Sequence, residues 1–194
     1  MASLAKELKY QKLHKEIKDI SLHLFLKNGF DETSINDIVK AAGSSLGTFY
    51  KHFKGKEMLF IEIWDEYVSG HTRQMITFAP EDPSSQEMVD YLIKKAYDYG
   101  HNEITIKLYP ISQKLAISYN YPLLHMWADQ STELLLNFIR KTCPGMSLAR
   151  ANTIANAWRC LIDNYAMSFV WLKNRRYAFY SEELKACFLK LLEL

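Results

Sequence analysis

Apolar side chains recur along this chain at steps of three and four residues, the spacing that lines one face of an α-helix. Leu13, Ile17, Ile20, Leu24 and Phe25 follow it, with Lys12, Lys15, Lys18 and Asp19 between them, so a first helix is predicted over 9–28 and Asn28-Gly29 stops it. Ser34 with Asp37 three residues on reads as a capping box, and Ile35, Ile38, Val39 and Ala42 give a second, short helix its apolar face before Gly43. Ser44 or Ser45 can cap a third short helix, Leu46–His52, which Gly55 closes. A fourth runs from Lys56 through Leu59, Phe60, Ile63, Trp64, Tyr67 and Val68 towards Phe78, until Pro80 and Pro83 break the pattern.

Beyond that break the same periodicity predicts helices near 84–100, 103–119, 122–142, 147–174 and 181–193. Gly100, Pro122, Pro144-Gly145 and the polar stretch Lys173–Arg176 separate them, and Pro110 is expected to kink the second. Strand-type alternation is almost missing, and nothing repeats at the spacing of solenoid arrays. The expectation is an all-α chain of about nine helices, with a small three-helix head over 1–55 and a larger helical body over 56–194.

Composition adds limits. With 194 residues and 48% apolar content the chain can bury a sizeable core. No apolar run approaches membrane-spanning length, and the lysine-rich start does not lead into a signal-peptide core, so a cytoplasmic protein is expected. Cys143, Cys160 and Cys187 are odd in number and widely spaced, which points to reduced core thiols rather than to disulfides or zinc. The net charge of +2 is uninformative, but its distribution is not: residues 1–58 hold ten lysines against seven acids, and the remainder is net negative. That bias fits a head facing a polyanion.

Two short helices joined by a Gly-containing turn are the geometry of a helix-turn-helix, whose second helix enters the major groove. Ile35–Ala42, Gly43-Ser44-Ser45 and Leu46–His52 supply those parts. Phe49 must pack inward against Ile38 and the first helix, which leaves Ser45, Leu46, Thr48, Tyr50 and Lys51 on the other side. Base readout would fall to Ser45, Leu46, Thr48 and Lys51, because lysine can donate to guanine and apolar groups can touch a thymine methyl. His52 reads as a helix-end residue packing near Phe53, and the lysines at 6, 9, 12, 15 and 18 read as a solvated face before a DNA-approaching arm.

Phe25, Gly29-Phe30, Thr33-Ser34, Asp37-Ile38, Ala42-Gly43, Gly47-Thr48-Phe49-Tyr50, His52-Phe53 and Lys56-Glu57 together resemble, in order and spacing, the head of tetracycline-repressor (TetR) family regulators. The resemblance covers about residues 11–60; the body is similar only in length and helix count. It implies a homodimer on a palindromic DNA operator, with Leu46, Gly47, Thr48, Tyr50 and Lys51 at or near the groove, Thr33 and Ser34 near phosphates, and Lys56 gripping the DNA backbone. Two departures stand out: Ser44 follows the turn glycine where an apolar residue is usual, and the head has no arginine, which removes bidentate guanine recognition from its repertoire.

The resemblance also implies that the last two helices form the dimer seam, for which Leu161, Ile162, Phe169, Leu184, Phe188 and Leu191 are the candidates. Rings with polar tips on several helices, Tyr67, His71, Met75, Tyr91, Tyr99, Tyr109, Trp127, Trp158 and Tyr165, suit a pocket for a small, mostly apolar or aromatic effector. The function expected is a ligand-responsive transcriptional regulator of repressor type. The alternative is a dimeric DNA-associated scaffold of the same fold without a role in transcription. An enzyme is not expected: His101 with Glu103, and His125 with Asp129, lack a third ligand or a nucleophile, and neither a metal nor another cofactor is called for.

Overall fold

The computed structural model describes residues 2–119, 123–171 and 181–193, with side chains at 4–118, 130–170 and 182–193. The described residues form nine helices and no strand: α1 (Ala2–Asn28), α2 (Ile35–Ala41), α3 (Leu46–His52), α4 (Lys56–Thr77), α5 (Ser85–His101), α6 (Glu103–Tyr119), α7 (Leu123–Thr142), α8 (Leu148–Trp171) and α9 (Ser181–Glu193). The apolar periodicity therefore located the elements. It misplaced the start of α1, which begins at Ala2 rather than near residue 9. Residues 4–12 are all exposed, so no buried stripe marks that part of the helix. Pro110 lies inside α6 as expected. Pro122 and the Lys173–Arg176 break lie outside the described residues.

The chain divides into two compact units, Met1–Tyr67 with Lys107–Asn120, and Val68–Ile106 with Tyr121–Leu194. In the first, Ile17 and Phe25 of α1, Ile38 of α2, Phe49 of α3, and Leu59 and Phe60 of α4 are buried together with Phe30 and Phe53 of the connecting loops. The unit reaches past residue 55 because the first turns of α4 supply part of this core. An ion pair and a hydrogen bond brace α1 against α4, Lys18 with Glu66 at 2.6 Å and His14 Nε2 with the Glu62 carboxylate at 2.9 Å. From α6, Lys107 Nζ donates to the Leu26 carbonyl at 2.7 Å, close to the end of α1.

In the second unit α5 packs on α8 and α9, and α7 packs on α8. Met88, Val89 and Leu92 of α5, Leu135 and Ile139 of α7, Ala155 and Trp158 of α8, and Phe188 of α9 form its core. The α5–α8 approach depends on one glycine: a Cβ on Gly100 would lie 2.4 Å from the Ala166 carbonyl oxygen. The cysteines correct one expectation, since Cys160 and Cys187 are exposed and Cys143 is half-buried. Cys160 and Cys187 occupy the outer faces of helices whose inner faces carry Trp158 and Phe188. Among the described residues no helix is long and apolar enough to cross a membrane.

Candidate nucleic-acid interface

The turn between α2 and α3 is held by backbone chemistry that the sequence announces. Ser34 caps α2: its hydroxyl oxygen accepts from the Asp37 amide at 3.1 Å, and the Asp37 carboxylate accepts from the Ser34 amide at 2.9 Å. These bonds to Ser34 favour the charged carboxylate and hold the Asp37 pKa below its ordinary value. At the other end Gly43 adopts φ +57°, and the Ser44 amide donates to the Val39 carbonyl at 2.8 Å, closing the helix with a reversed turn. Ser45 then caps α3, accepting from the Thr48 amide at 3.2 Å, and the two hydroxyls are hydrogen-bonded at 3.0 Å.

These constraints fix the facing of α3. Phe49 is fully buried against the head core. Ser45, Leu46, Gly47, Tyr50 and Lys51 are exposed on the opposite side, with Thr48 half-buried beside them. Leu46 is 44% and Tyr50 57% exposed, unusual for large apolar and aromatic residues on a helix that also supplies the core. Ser34 is exposed at the start of α2.

Two residues expected at phosphates have other partners. Thr33 is fully buried, and its hydroxyl donates to the Gly29 carbonyl at 2.7 Å, tying off the reversal at Gly29. Lys56 directs its ammonium inward, donating to the carbonyls of Phe30 at 2.7 Å and Thr33 at 2.9 Å, with Asp31 at 3.4 Å, while lying 4.4 Å from the Phe30 ring centroid. A lysine has three N–H donors and all three are used here. Its ammonium is thus a clamp on the loop between α1 and α2 rather than a phosphate grip.

A cluster that spacing alone does not reveal joins α1 to the end of α3. The Tyr10 ring stacks on His52 at 4.1 Å, the His14 ring stacks on Phe53 at 4.4 Å, and the two histidine rings lie 5.5 Å apart. Tyr10 also donates its hydroxyl to the Lys51 carbonyl at 3.3 Å. Burial, and then the neighbouring His14, hold the His52 pKa below its ordinary value. His52 is therefore a packing residue, as its place at the helix end suggested. Only the 3.6-residue step from Tyr10 to His14 to Ile17 signals this face in the sequence.

The effector candidates separate between the units. Tyr67 and Tyr109, in the first, both approach the Trp64 ring, at 5.5 and 6.2 Å. In the second, His71 lies 4.6 Å from the Tyr99 ring, and Tyr91 donates to the Met75 carbonyl at 2.7 Å. Burial holds the His71 pKa down, with Lys95 adding to the effect. Trp158 is a core residue between Phe138 and Phe188, at 6.0 and 5.3 Å, and its buried indole N–H has no acceptor among the described residues. Tyr165 borders an open cleft of about 540 Å³ with Asp90, Lys94, Tyr97, Asp98 and Lys185, a charged lining unlike the apolar pocket expected. The Trp127 side chain, with His125 and Asp129, lies outside the described residues.

Of the seam candidates, Leu161 is exposed, and Ile162, Leu184 and Leu191 are half-buried at the edge of the core. Phe169 is half-buried and packs within its own unit against Tyr97, His101 and Tyr165. Phe188 is fully buried in the single chain, which removes it from any seam. The His101 ring stacks on Tyr97 at 3.9 Å, an ordinary packing role. No metal-binding group of three histidine, cysteine or acidic side chains is present among the described residues.

Residues 17–63 match the profile described as "Bacterial regulatory proteins, tetR family". Over 55 residues the chain is 46% identical to the HTH-type transcriptional regulator AcrR of Shigella flexneri, covering 28% of this chain and 26% of AcrR. Over 51 residues it is 47% identical to QacR of Staphylococcus aureus, covering 26% and 27%. The chain thus spans only about a quarter of the length of these two relatives. Likeness in fold extends further: a TetR-family regulator from Pectobacterium atrosepticum superimposes with TM-score 0.70 at 11% identity, covering 95% of this chain and 94% of that one. FadR of Bacillus subtilis, solved with stearoyl-CoA, gives 0.64 at 17% identity, covering 90% and 96%. Residues 17–63 of this chain thus carry the helix-turn-helix pattern of the tetR family of bacterial regulatory proteins, and its fold is similar along most of its length to solved regulators of that kind.

Proposed function

We propose that the protein is a ligand-responsive transcriptional regulator of repressor type that binds a palindromic DNA operator as a homodimer. The observation that carries this reading is the outward face of α3, where Ser45, Leu46, Gly47, Tyr50 and Lys51 stand exposed while Phe49 anchors the helix from behind. Short residues at the helix start let the backbone approach DNA closely. Thr48 and Lys51 meet base edges, and Tyr50 lies along the sugar-phosphate strand with Ser34 beside it. Thr33 and Lys56 act on DNA indirectly, by fixing the loop that presents α2.

For the dimer, α8 offers a row of uncharged, outward side chains at helical spacing, Thr153, Asn156, Ala157, Cys160, Leu161 and Asn164, suited to a second copy across a two-fold axis. Two recognition helices then need to lie roughly 34–36 Å apart to enter successive major grooves. We place the effector near His71, Met75, Tyr91 and Tyr99, where an imidazole and a phenol can fix a mostly apolar molecule. This lies along α4, whose first turn belongs to the head. An effector that binds one conformer better than the other shifts the spacing and releases the DNA.

The test compares base preference with overall affinity. Lys51→Ala should change the ranking among duplexes that differ at one operator position, costing about 1–3 kcal/mol at the preferred base. Tyr50→Phe should weaken all of them alike. A uniform loss from Lys51→Ala would remove it from base readout.

A further inference from the structure

Among the described residues, the first turns of α1 bury no side chain. Residues 4–12 are exposed throughout, Leu4 at 66% and Leu8 at 62%. These turns gain no stability from an amphipathic face packed on a core, and the first turn of α1 has no acidic residue to favour the helix dipole. Three lysines, Lys6, Lys9 and Lys12, stand there against the one acid Glu7, which already accepts a hydrogen bond from Gln11 at 2.8 Å. Among the described residues none of the three lysines forms an ion pair.

The direction of this segment is fixed at Tyr10. Its ring lies on His52 at 4.1 Å and its hydroxyl reaches the Lys51 carbonyl at 3.3 Å, so α1 passes the C-terminal end of α3 at Tyr10 and continues beyond it. Lys6 precedes Tyr10 by four residues and therefore shares its face, one turn of roughly 5.4 Å further out. Lys9 lies about 60° around the helix from Lys6, whereas Leu4 and Leu8 point the other way. The row Lys6, Tyr10, His14, Ile17 begins as core and ends in a cation just past the exposed Lys51.

We infer that the first turns of α1 form a second DNA-binding element, in which Lys6 and Lys9 contact backbone phosphates flanking the stretch that α3 reads. This rests on the assignment of α3 to the major groove. Charge complementarity selects the occupant: duplex DNA next to α3 offers phosphates to an unpaired cationic face already tied to that helix. Phosphate contacts of this kind position a protein without reading sequence, so the element should act alike on operator and random duplex.

The test is the salt dependence of binding for the full-length protein and for Lys6→Gln/Lys9→Gln, on a selected inverted repeat and on a random duplex, with Lys114→Gln as an exposed-lysine control. The slope of log K against log salt should fall in the double variant by about 2–4 for a dimer, near 0.9 for each phosphate left without its lysine. The control should keep the wild-type slope. Amides of residues 4–9 should exchange rapidly in the free protein and slow on addition of either duplex in the wild type. An unchanged slope, or exchange unaffected by DNA, overturns the inference. So does a loss of affinity from Leu4→Ser/Leu8→Ser alone, which would make the segment an apolar protein contact. Equal binding of the two duplexes with the slope change retained would instead contradict the operator reading and leave the element standing.

Discussion

Lys56 shows how the same residue type can serve two chemistries. At the start of a helix in a basic head it suits a phosphate, yet its ammonium is consumed by three carbonyls of the loop before α2. Lys56→Met should lower head stability by about 2 kcal/mol, the scale of losing charged hydrogen bonds, and thermal unfolding will show it. The salt slope of DNA binding should stay unchanged; a slope reduced by about one or two would restore the phosphate contact. His52 makes a different statement. With its pKa held below the ordinary 6.5 by burial and by His14, it takes up a proton less readily in the folded head than in the unfolded chain. Its contribution is complete above pH 6.5 and is lost as pH falls through the lowered folded value. Melting curves of the wild type should move to lower temperature over that interval, and His52→Phe should flatten the dependence. The aromatic and capping residues were legible in the sequence because their type and spacing announce them. The partners of Lys56 and Thr33 were not, since they are carbonyls, which every residue carries.

At the level of elements, the helix stripe was legible wherever a helix buries one face. It failed where burial stops, so the free first turns of α1 carried no periodic signal, and the cysteines of α8 and α9 face outward although their residue type points to the core. Packing between helices was less legible still. Gly100 has the look of a helix terminator, but it lies within α5, where the Ala166 carbonyl of α8 comes close. Because that neighbour is backbone, no rotamer change relieves the contact. Gly100→Ala should therefore cost roughly 1–3 kcal/mol, read as a fall in melting temperature without a change in helix content. Stability equal to the wild type would mean that α5 and α8 lie further apart than described.

For the whole molecule, the head was more legible than the body for a physical reason. A surface that must fit the same groove geometry constrains residue types at fixed positions, whereas a core or a pocket accepts many apolar solutions of similar volume. The outward row of α3 thus follows from the sequence, whereas Phe188, expected at a seam, lies in the core. Everything proposed for the function depends on α3, presented twice by a dimer, reading a two-fold-symmetric site. Selection of duplexes from a random pool by the purified protein at near-physiological salt addresses this, alongside Tyr50→Ala/Lys51→Ala, which keeps the Phe49 anchor. The wild type should enrich an inverted repeat with half-sites about one helical turn apart, and the variant should enrich nothing. Enrichment of no sequence by the wild type, or of the same repeat by the variant, would contradict the assignment of α3 to the operator.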